Sequence, residues 1–435
     1  MRYPLQLIPC LLALAGSAQE NPIVMLGPVT MTDATVWVQC ASDCNAYVAY
    51  SDSSDVKDVP HFVRTSTAAP NEAHVSIFHL TDLMPGHAYR YNVFSDSVGP
   101  TSTFQPRPYR FTTQPLWQWR TDPPDFTVAL GSCAYVNEAA FDRPGNAYGG
   151  DYRIFNSIVD KSPELMLWLG DNVYLREADL DSRSGMLHRY GHTRSLPEMQ
   201  RLLSSASNYA IWDDHDFGPN DGDRSFVLAA TSREIFRLFW PNPTVEQDGV
   251  GGMGTQFSYG DVDFFLLDDR SFRTRSDLKT GPITLLGQPQ IDRLIEGLKF
   301  SKAPFKVVAI GGQFLSTAAV YENYVNYAAE RTSIIDRIQQ EGIRGVLFVS
   351  GDRHFTELSE LALPDGNMIR DLTVSPLTST AYDPKEENTL RVEGTRVGRR
   401  NFATLTFSGK RDARSMLIRV FDSDGKQLWE RSLAQ

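Results

Sequence analysis

The sequence predicts a layered α/β sandwich of two sheets flanked by helices, preceded by a small all-β sandwich. Three observations lead there. Residues 20–113 hold short strand-like runs divided by turn residues. Residues 114–125 are interrupted by Pro115, Pro123 and Pro124, with Trp117 and Trp119 between them. From Phe126 onward apolar runs alternate with helical patterns, and strand-like runs return near the end with less helix between them.

The first segment, 1–18, carries an Arg, an apolar stretch and a small-residue end. The apolar stretch is shorter than the ~20 residues of a membrane span. It reads as a signal peptide cleaved after Ala18, so an exported protein, periplasmic or secreted, is expected. No later segment predicts a membrane span in the mature chain. In 20–113 the runs TVWVQC, NAYVAYS, HVSIFHL, YRYNVFS and YRFTT suit a small immunoglobulin- or fibronectin-like sandwich. Cys40 and Cys44 stand across the turn Ala41-Ser42-Asp43, where an oxidising compartment would pair them. Cys133 is then the thiol left over.

The second unit, 125–435, opens on FTVAL and continues through LMLWL, YAI and VLFVS, each a buried-strand run. Helices are expected near 152–160, 196–205, 228–239, 288–299 and 331–341. Late strands are expected at 368–375, 403–407, 415–421 and 427–433. The net charge of −11 argues against a broad basic surface for nucleic acid. A small anionic substrate stays compatible where bound cations offset the acids locally.

Four strand-like runs end on metal-ligand side chains: Gly131-Ser132-Cys133, Gly170-Asp171-Asn172-Val173-Tyr174, Trp212-Asp213-Asp214-His215-Asp216 and Gly351-Asp352-Arg353-His354. Strand ends in α/β folds collect ligands at one edge. Asp171 has two oxygens and can bridge two cations, which is how two-metal sites clamp a phosphoryl group. Tyr174 offers a phenolate, a rare ligand suited to iron(III). Read alone, it would more often be a buried Tyr capping a turn. The acids around His215 cannot all be paired cheaply in a core, and a cation would relieve them. His215 itself suits a general acid. Asp352 and His354 alternate around Arg353 and can point to one side, as a second metal anchor needs. Cys133 is either a thiolate ligand or a small inert core residue.

Arg270, in FFLLDDRSFR, suits two-pronged phosphate recognition, with an ion pair to Asp268 or Asp269 as the competing reading. Asn220 and Asp221 either line the same site or form a plain turn. His188 and His192 read as a surface loop. Residues 177–185 lack the Gly and Glu of a calcium loop, and 422–425 is a hairpin turn. No Gly-x-Ser-x-Gly elbow is present, so a serine hydrolase has no support.

The ordered set GSC, GDNVYLRE, WDDHD, FFLLDDRSFR and SGDRH resembles the PhoD-type alkaline phosphatases of the calcineurin-like metallophosphoesterase superfamily. The likeness extends over most of 125–435, and the preceding sandwich is similar to the family's N-terminal domain. The resemblance implies a four-layer α/β/β/α core and an exported hydrolase of phosphate mono- or diesters. It implies iron(III) at Cys133, Asp171, Tyr174 and His354, and calcium or another divalent ion at Asp171, Asp214 and Asp352. His215 would meet the leaving oxygen, and Arg270 would grip the phosphate. Gly-Ser-Cys stands where most of the superfamily has Asp-x-His. Asn172 and Asp216 stand where many PhoD-type sequences have Tyr and Glu. A phosphodiesterase or phospholipase D-like enzyme would use the same residues. The reading from another class is a non-catalytic, metal-stabilised surface-binding protein, since a fold does not guarantee activity.

Overall fold

The computed structural model describes residues 22–434, apart from 43, 56, 65–71, 96–107 and 246–248. The expected signal segment 1–18 lies outside the described residues.

Among the described residues, seven strands build the first unit: β1 (Ile23–Val29), β2 (Ala34–Gln39), β3 (Ala46–Asp52), β4 (His61–Arg64), β5 (Val75–Leu80), β6 (Ala88–Ser95) and β7 (Tyr109–Thr112). They form two antiparallel sheets, ordered β1-β2-β5 and β4-β3-β6-β7. Val36, Val38, Val48, Phe78 and Tyr91 fill the space between them. Cys40 and Cys44 form a disulfide beside this core.

The second unit has twelve strands among the described residues. They are β8 (Phe126–Gly131), β9 (Leu165–Leu169), β10 (Ser207–Ile211), β11 (Thr255–Tyr259), β12 (Val262–Leu266), β13 (Phe305–Ala309), β14 (Val346–Ser350), β15 (Glu357–Ala362), β16 (Met368–Thr373), β17 (Asn401–Ser408), β18 (Ser415–Asp422) and β19 (Gln427–Ala434). One sheet runs β10-β9-β8-β17-β18-β19 and the other β11-β12-β13-β14-β16-β15. β8, β9 and β10 are parallel, as are β12, β13, β14 and β16.

Most of these parallel strands are largely apolar because both of their faces are covered, whereas β16 carries Arg370 and Asp371. The alternation of side chains sorts them. Leu165, Leu167 and Leu169 face the second sheet, together with Val307, Ala309, Leu347 and Val349. Met166 and Trp168 face outward onto helices α1 (Arg153–Val159), α3 (Pro197–Leu203) and α5 (Ala229–Phe239). Val308, Ile310 and Phe348 face the opposite way, onto α6 (Gln288–Phe300) and α7 (Ala328–Gln340). The result is helix, sheet, sheet, helix.

Each expected helix window holds a helix. The surface loop expected around His188 and His192 does not exist: both lie in α2 (Arg183–Arg194), which starts where Ser182 accepts from the Gly185 N–H. Its buried stripe is Met186, Arg189, Tyr190, Thr193 and Arg194. That stripe has helical spacing but is mostly polar, so hydrophobic periodicity does not reveal it.

The two units share a seam. Asn208 donates to the Leu26 carbonyl at 3.0 Å, and the Trp37 indole donates to the Leu238 carbonyl at 2.8 Å. The Arg194 guanidinium lies over Trp37 and Trp240, 4.5 and 4.3 Å from their centroids. Burial there pulls its pKa down to about 9.

Candidate metal centre

The carboxyl ends of β8, β9, β10 and β14 meet at one edge of the two sheets. Gly170 and Gly351 permit the approach. A Cβ on Gly170 would stand 2.6 Å from the Asp213 Cβ, and one on Gly351 would stand 2.5 Å from the Leu169 carbonyl. The strands then break sharply into turns. Cys133, Asp171, Asp352 and His354 all have positive φ, at 59°, 52°, 60° and 54°. Non-glycine residues seldom adopt that region, and such strain concentrates at functional sites.

Cys133, Asp171 and His354 bring ligand atoms within 4.8 Å of one another. The Tyr174 hydroxyl joins them, donating to Asp171 Oδ2 at 3.0 Å and lying 3.1 Å from His354 Nε2. Cys133 Sγ is 3.5 Å from the same carboxylate. Asp171, Asp214 and His215 form a second such group. Asp352 completes the cluster, and its buried Oδ2 has no hydrogen-bond partner.

Asn172 and Asp216, the two departures from the usual pattern, fasten this arrangement. Asp216 accepts from the backbone N–H groups of Asn172, Val173 and Asp213 at 3.1, 3.3 and 3.0 Å. Asn172 donates to the Ile211 carbonyl at 2.8 Å. Asp213 and Asp216 also close a capping box around the short helix α4 (Asp214–Phe217), which presents Asp214 and His215.

Burial governs the electrostatics. It pushes Asp171, Asp213 and Asp352 above the ordinary carboxylate range, with neighbouring negative groups adding to the rise at Asp171. It lifts the Cys133 thiol to about 12, raises Tyr174 and lowers His354 to about 4. Asp214 is the exception: burial raises it, but His215, Arg270 and the Asp221 N–H outweigh that and bring it to about 2. The thiol, the phenol and the carboxyl groups of Asp171 and Asp352 thus converge where their deprotonated, ligating forms are disfavoured, whereas Asp214 as carboxylate and His354 as neutral imidazole already hold theirs. A cation would reverse that balance. With the unpartnered Asp352 oxygen, this donor set fits bound metal.

Arg270 is not where the sequence predicts it. Its side chain is buried, and Nη1 and Nη2 donate to Glu322 at 2.9 and 2.8 Å. Nη2 also pairs with Asp213, and Nε lies 3.4 Å from Asp269. The fork is occupied by three carboxylates of the protein, those of Glu322, Asp213 and Asp269. The competing ion-pair reading holds for Asp269. Asp268 instead accepts the Arg270 backbone N–H at 2.9 Å.

Asn220 and His215 line a cavity of 540 Å³ beside the cluster, and the Asp221 N–H donates to Asp214 at 2.7 Å. Sequence reasoning missed Ser375 and Ser379, whose hydroxyls lie 3.1 Å from Cys133 Sγ and 3.3 Å from His354 Nε2. They follow β16, but that strand carries Arg370 and Asp371, so the signal of an apolar strand ending in a polar turn does not mark them. It missed Tyr148, 3.4 Å from His354 Nδ1, and Glu322; neither follows a strand. A larger groove of 740 Å³ between β11 and α6 gathers no cluster of ligand groups among the described residues.

Two sheets face to face, helices outside, and ligand side chains at the parallel strand ends define a metallophosphoesterase-type fold. A solved structure of PhoD superposes with a TM-score of 0.73 at 17% identity, covering 95% of this chain and 92% of that one. The purple acid phosphatase PPD1 of yellow lupin (Lupinus luteus) seeds gives 0.69 at 13% identity, covering 95% and 74%. Residues 128–413 match the PhoD-like phosphatase family, and the chain belongs to that family. Residues 23–110 match a domain of unknown function, DUF7800. Alkaline phosphatase D of Bacillus subtilis (strain 168) is 22% identical over 337 residues, 64% of this chain. The match spans only 55% of that relative's length.

Proposed function

We propose that this chain is an exported, metal-dependent phosphoesterase of PhoD type, hydrolysing mono- or diesters of phosphate. The carrying observation is the place of Asp171, whose carboxylate belongs to both ligand groups, with Cys133 and His354 on one side and Asp214 and His215 on the other. A shared carboxylate is what a two-cation phosphoryl site requires.

Iron(III) suits Cys133, Asp171, Tyr174 and His354, because thiolate and phenolate both stabilise it. Asp171, Asp214 and Asp352 offer only oxygen, which suits calcium or another hard divalent ion. When bound, such cations acidify a water and neutralise charge on a phosphoryl group. The protein's own groups then set orientation. Ser375 and Ser379 hold Cys133 and His354, and the Asp216 clamp holds the two acidic turns together. The His215 ring stands against Tyr174, 4.3 Å between centroids, and opens into the adjacent cavity. From there it can give a proton to the departing ester oxygen. Arg270, held under the cluster, acts by fixing Asp213 and so the cap of α4. The Cys40–Cys44 disulfide supports export, since such bonds persist in oxidising compartments.

The test is elemental analysis and a visible spectrum of protein prepared with iron supplied, beside Tyr174→Phe. The expected result is about one iron per chain and a broad visible band lost in the variant. A mono- and diester panel, run before and after chelation, fixes the substrate class. Protein that holds no transition metal, or turns over no ester when loaded, would be a metal-stabilised binding fold instead.

A further inference from the structure

The cavity beside the cluster has a wall of aromatic rings that the ligand set does not require. Tyr135 packs edge-on against Tyr148, 4.8 Å between centroids, and lies 5.1 Å from Tyr174. Tyr148 lies 6.1 Å from Tyr174 and 6.0 Å from His354. Phe141, an exposed ring, lines the same cavity, as do Pro144 and Leu180. The surface is therefore continuous from the metal ligands to solvent.

The polar groups of this lining are largely engaged elsewhere. Tyr135 donates to Asp142 at 2.8 Å. Arg176 is taken up by Asp142 and by the carbonyls of Tyr174 and Val136. Asn220 pairs with Asp221 at 2.9 Å. The exposed charges, Arg143 and Glu177, bind each other at 2.7 Å. A sugar or polyol would find few partners here, whereas a flat apolar group would find ring faces and edges. At 540 Å³ the cavity is the size of a small-molecule site.

We infer that this cavity is a leaving-group subsite for an alcohol with an aromatic face, so that esters of aryl-bearing alcohols are favoured over those of small polyols. The inference rests on the phosphoesterase reading, since it places the ester oxygen beside His215 and the alcohol against Tyr148 and Phe141.

Rates on aryl phosphates would confuse ring binding with leaving-group acidity, so binding is the better readout. The metal-loaded chain is titrated calorimetrically with benzylphosphonate and with methylphosphonate, which share the phosphonate and differ in the ring. Benzylphosphonate should bind at least about tenfold more tightly, the factor for removing ~60 Å² of apolar surface from water. In Phe141→Ala and Tyr148→Ala, each checked for folding by its thermal transition, that ratio should fall toward one. Equal affinities in the wild-type chain would overturn the subsite while leaving the phosphoesterase reading intact. A ratio unchanged in both variants would also overturn it. Binding of neither phosphonate would remove the phosphoesterase reading, and the subsite with it.

Discussion

Two acidic clusters lie side by side in this molecule, and they differ in how their charge is balanced. In one, Asp213, Asp269 and Glu322 face the guanidinium groups of Arg270 and Arg273. In the other, Asp171 shares one ligand group with Cys133 and a second with Asp214, Asp352 lies near enough to act on Cys133 and Asp214 through its charge, and among the described residues no salt bridge reaches those three carboxylates. Both are buried, and apart from Glu322 their acids follow strands. The first is tied by ion pairs, although Asp213 Oδ2 and Asp269 Oδ1 still lack a hydrogen-bond partner. The second carries no such pairing, and the contrast separates acids held by arginines from acids that a cation could engage.

The largest effect should come from the unbalanced cluster. Asp171→Asn removes the carboxylate common to both ligand groups. Cations contribute several kcal/mol at such sites, so kcat on a phosphate ester should fall on the order of 10³-fold, with metal content reduced. Activity kept near wild type would end the assignment of Asp171 as a shared ligand. Next comes the balanced cluster. Glu322→Gln leaves Arg270 and Arg273 short of a buried partner, and breaking such a pair costs about 3 kcal/mol in a denaturant titration. A loss of activity at unchanged stability would instead mean that Glu322 belongs to the chemistry.

A control far from both clusters sharpens the contrast. Replacing Cys40 and Cys44 with Ser opens a short loop, which should lower stability by about 2 kcal/mol and leave kcat untouched. The smallest effect is in pH. Burial raises Asp171 and Asp352, and lifts Asp216 to about 7. A raised carboxyl contributes stability that is full below its unfolded pKa of about 4 and is lost as pH climbs through the folded value. His354, held down to about 4, works the other way, so metal-free protein should be more stable near pH 5 than near pH 8 by the excess of the raised acids over it, on the order of 1 kcal/mol, and loaded protein should show a smaller slope. A slope of the same size in both forms would mean that cations do not relieve these acids.

Much of the centre was legible because it obeys one rule. Cys133, Asp171, Asp214, Asp352 and His354 each follow an apolar run that becomes a covered parallel strand, and such strands deliver their next residues to one edge. The structure brings those five and Tyr174 together. Arg270 obeys the same rule yet faces inward. Its direction depends on Glu322, 52 positions further along the chain and outside any strand, and no local pattern announces that pairing. Helix α2 was hidden for a related reason. Its buried side includes Arg189, matched by Asp179 and Glu138, so burial there follows from partners and not from hydrophobicity.

The seam between the units carries a consequence for how the chain can be divided. Arg194 belongs to the second unit by position, but one face of its guanidinium is supplied by Trp37 of the first. Cutting the chain in the 114–125 stretch would strip that cover from a cation and bare the apolar surface around Trp240. A fragment beginning at Phe126 would be born with a sticky flank and would tend to self-associate. The leading sandwich thus covers a flank of its neighbour, and recombinant work should keep both units in one polypeptide.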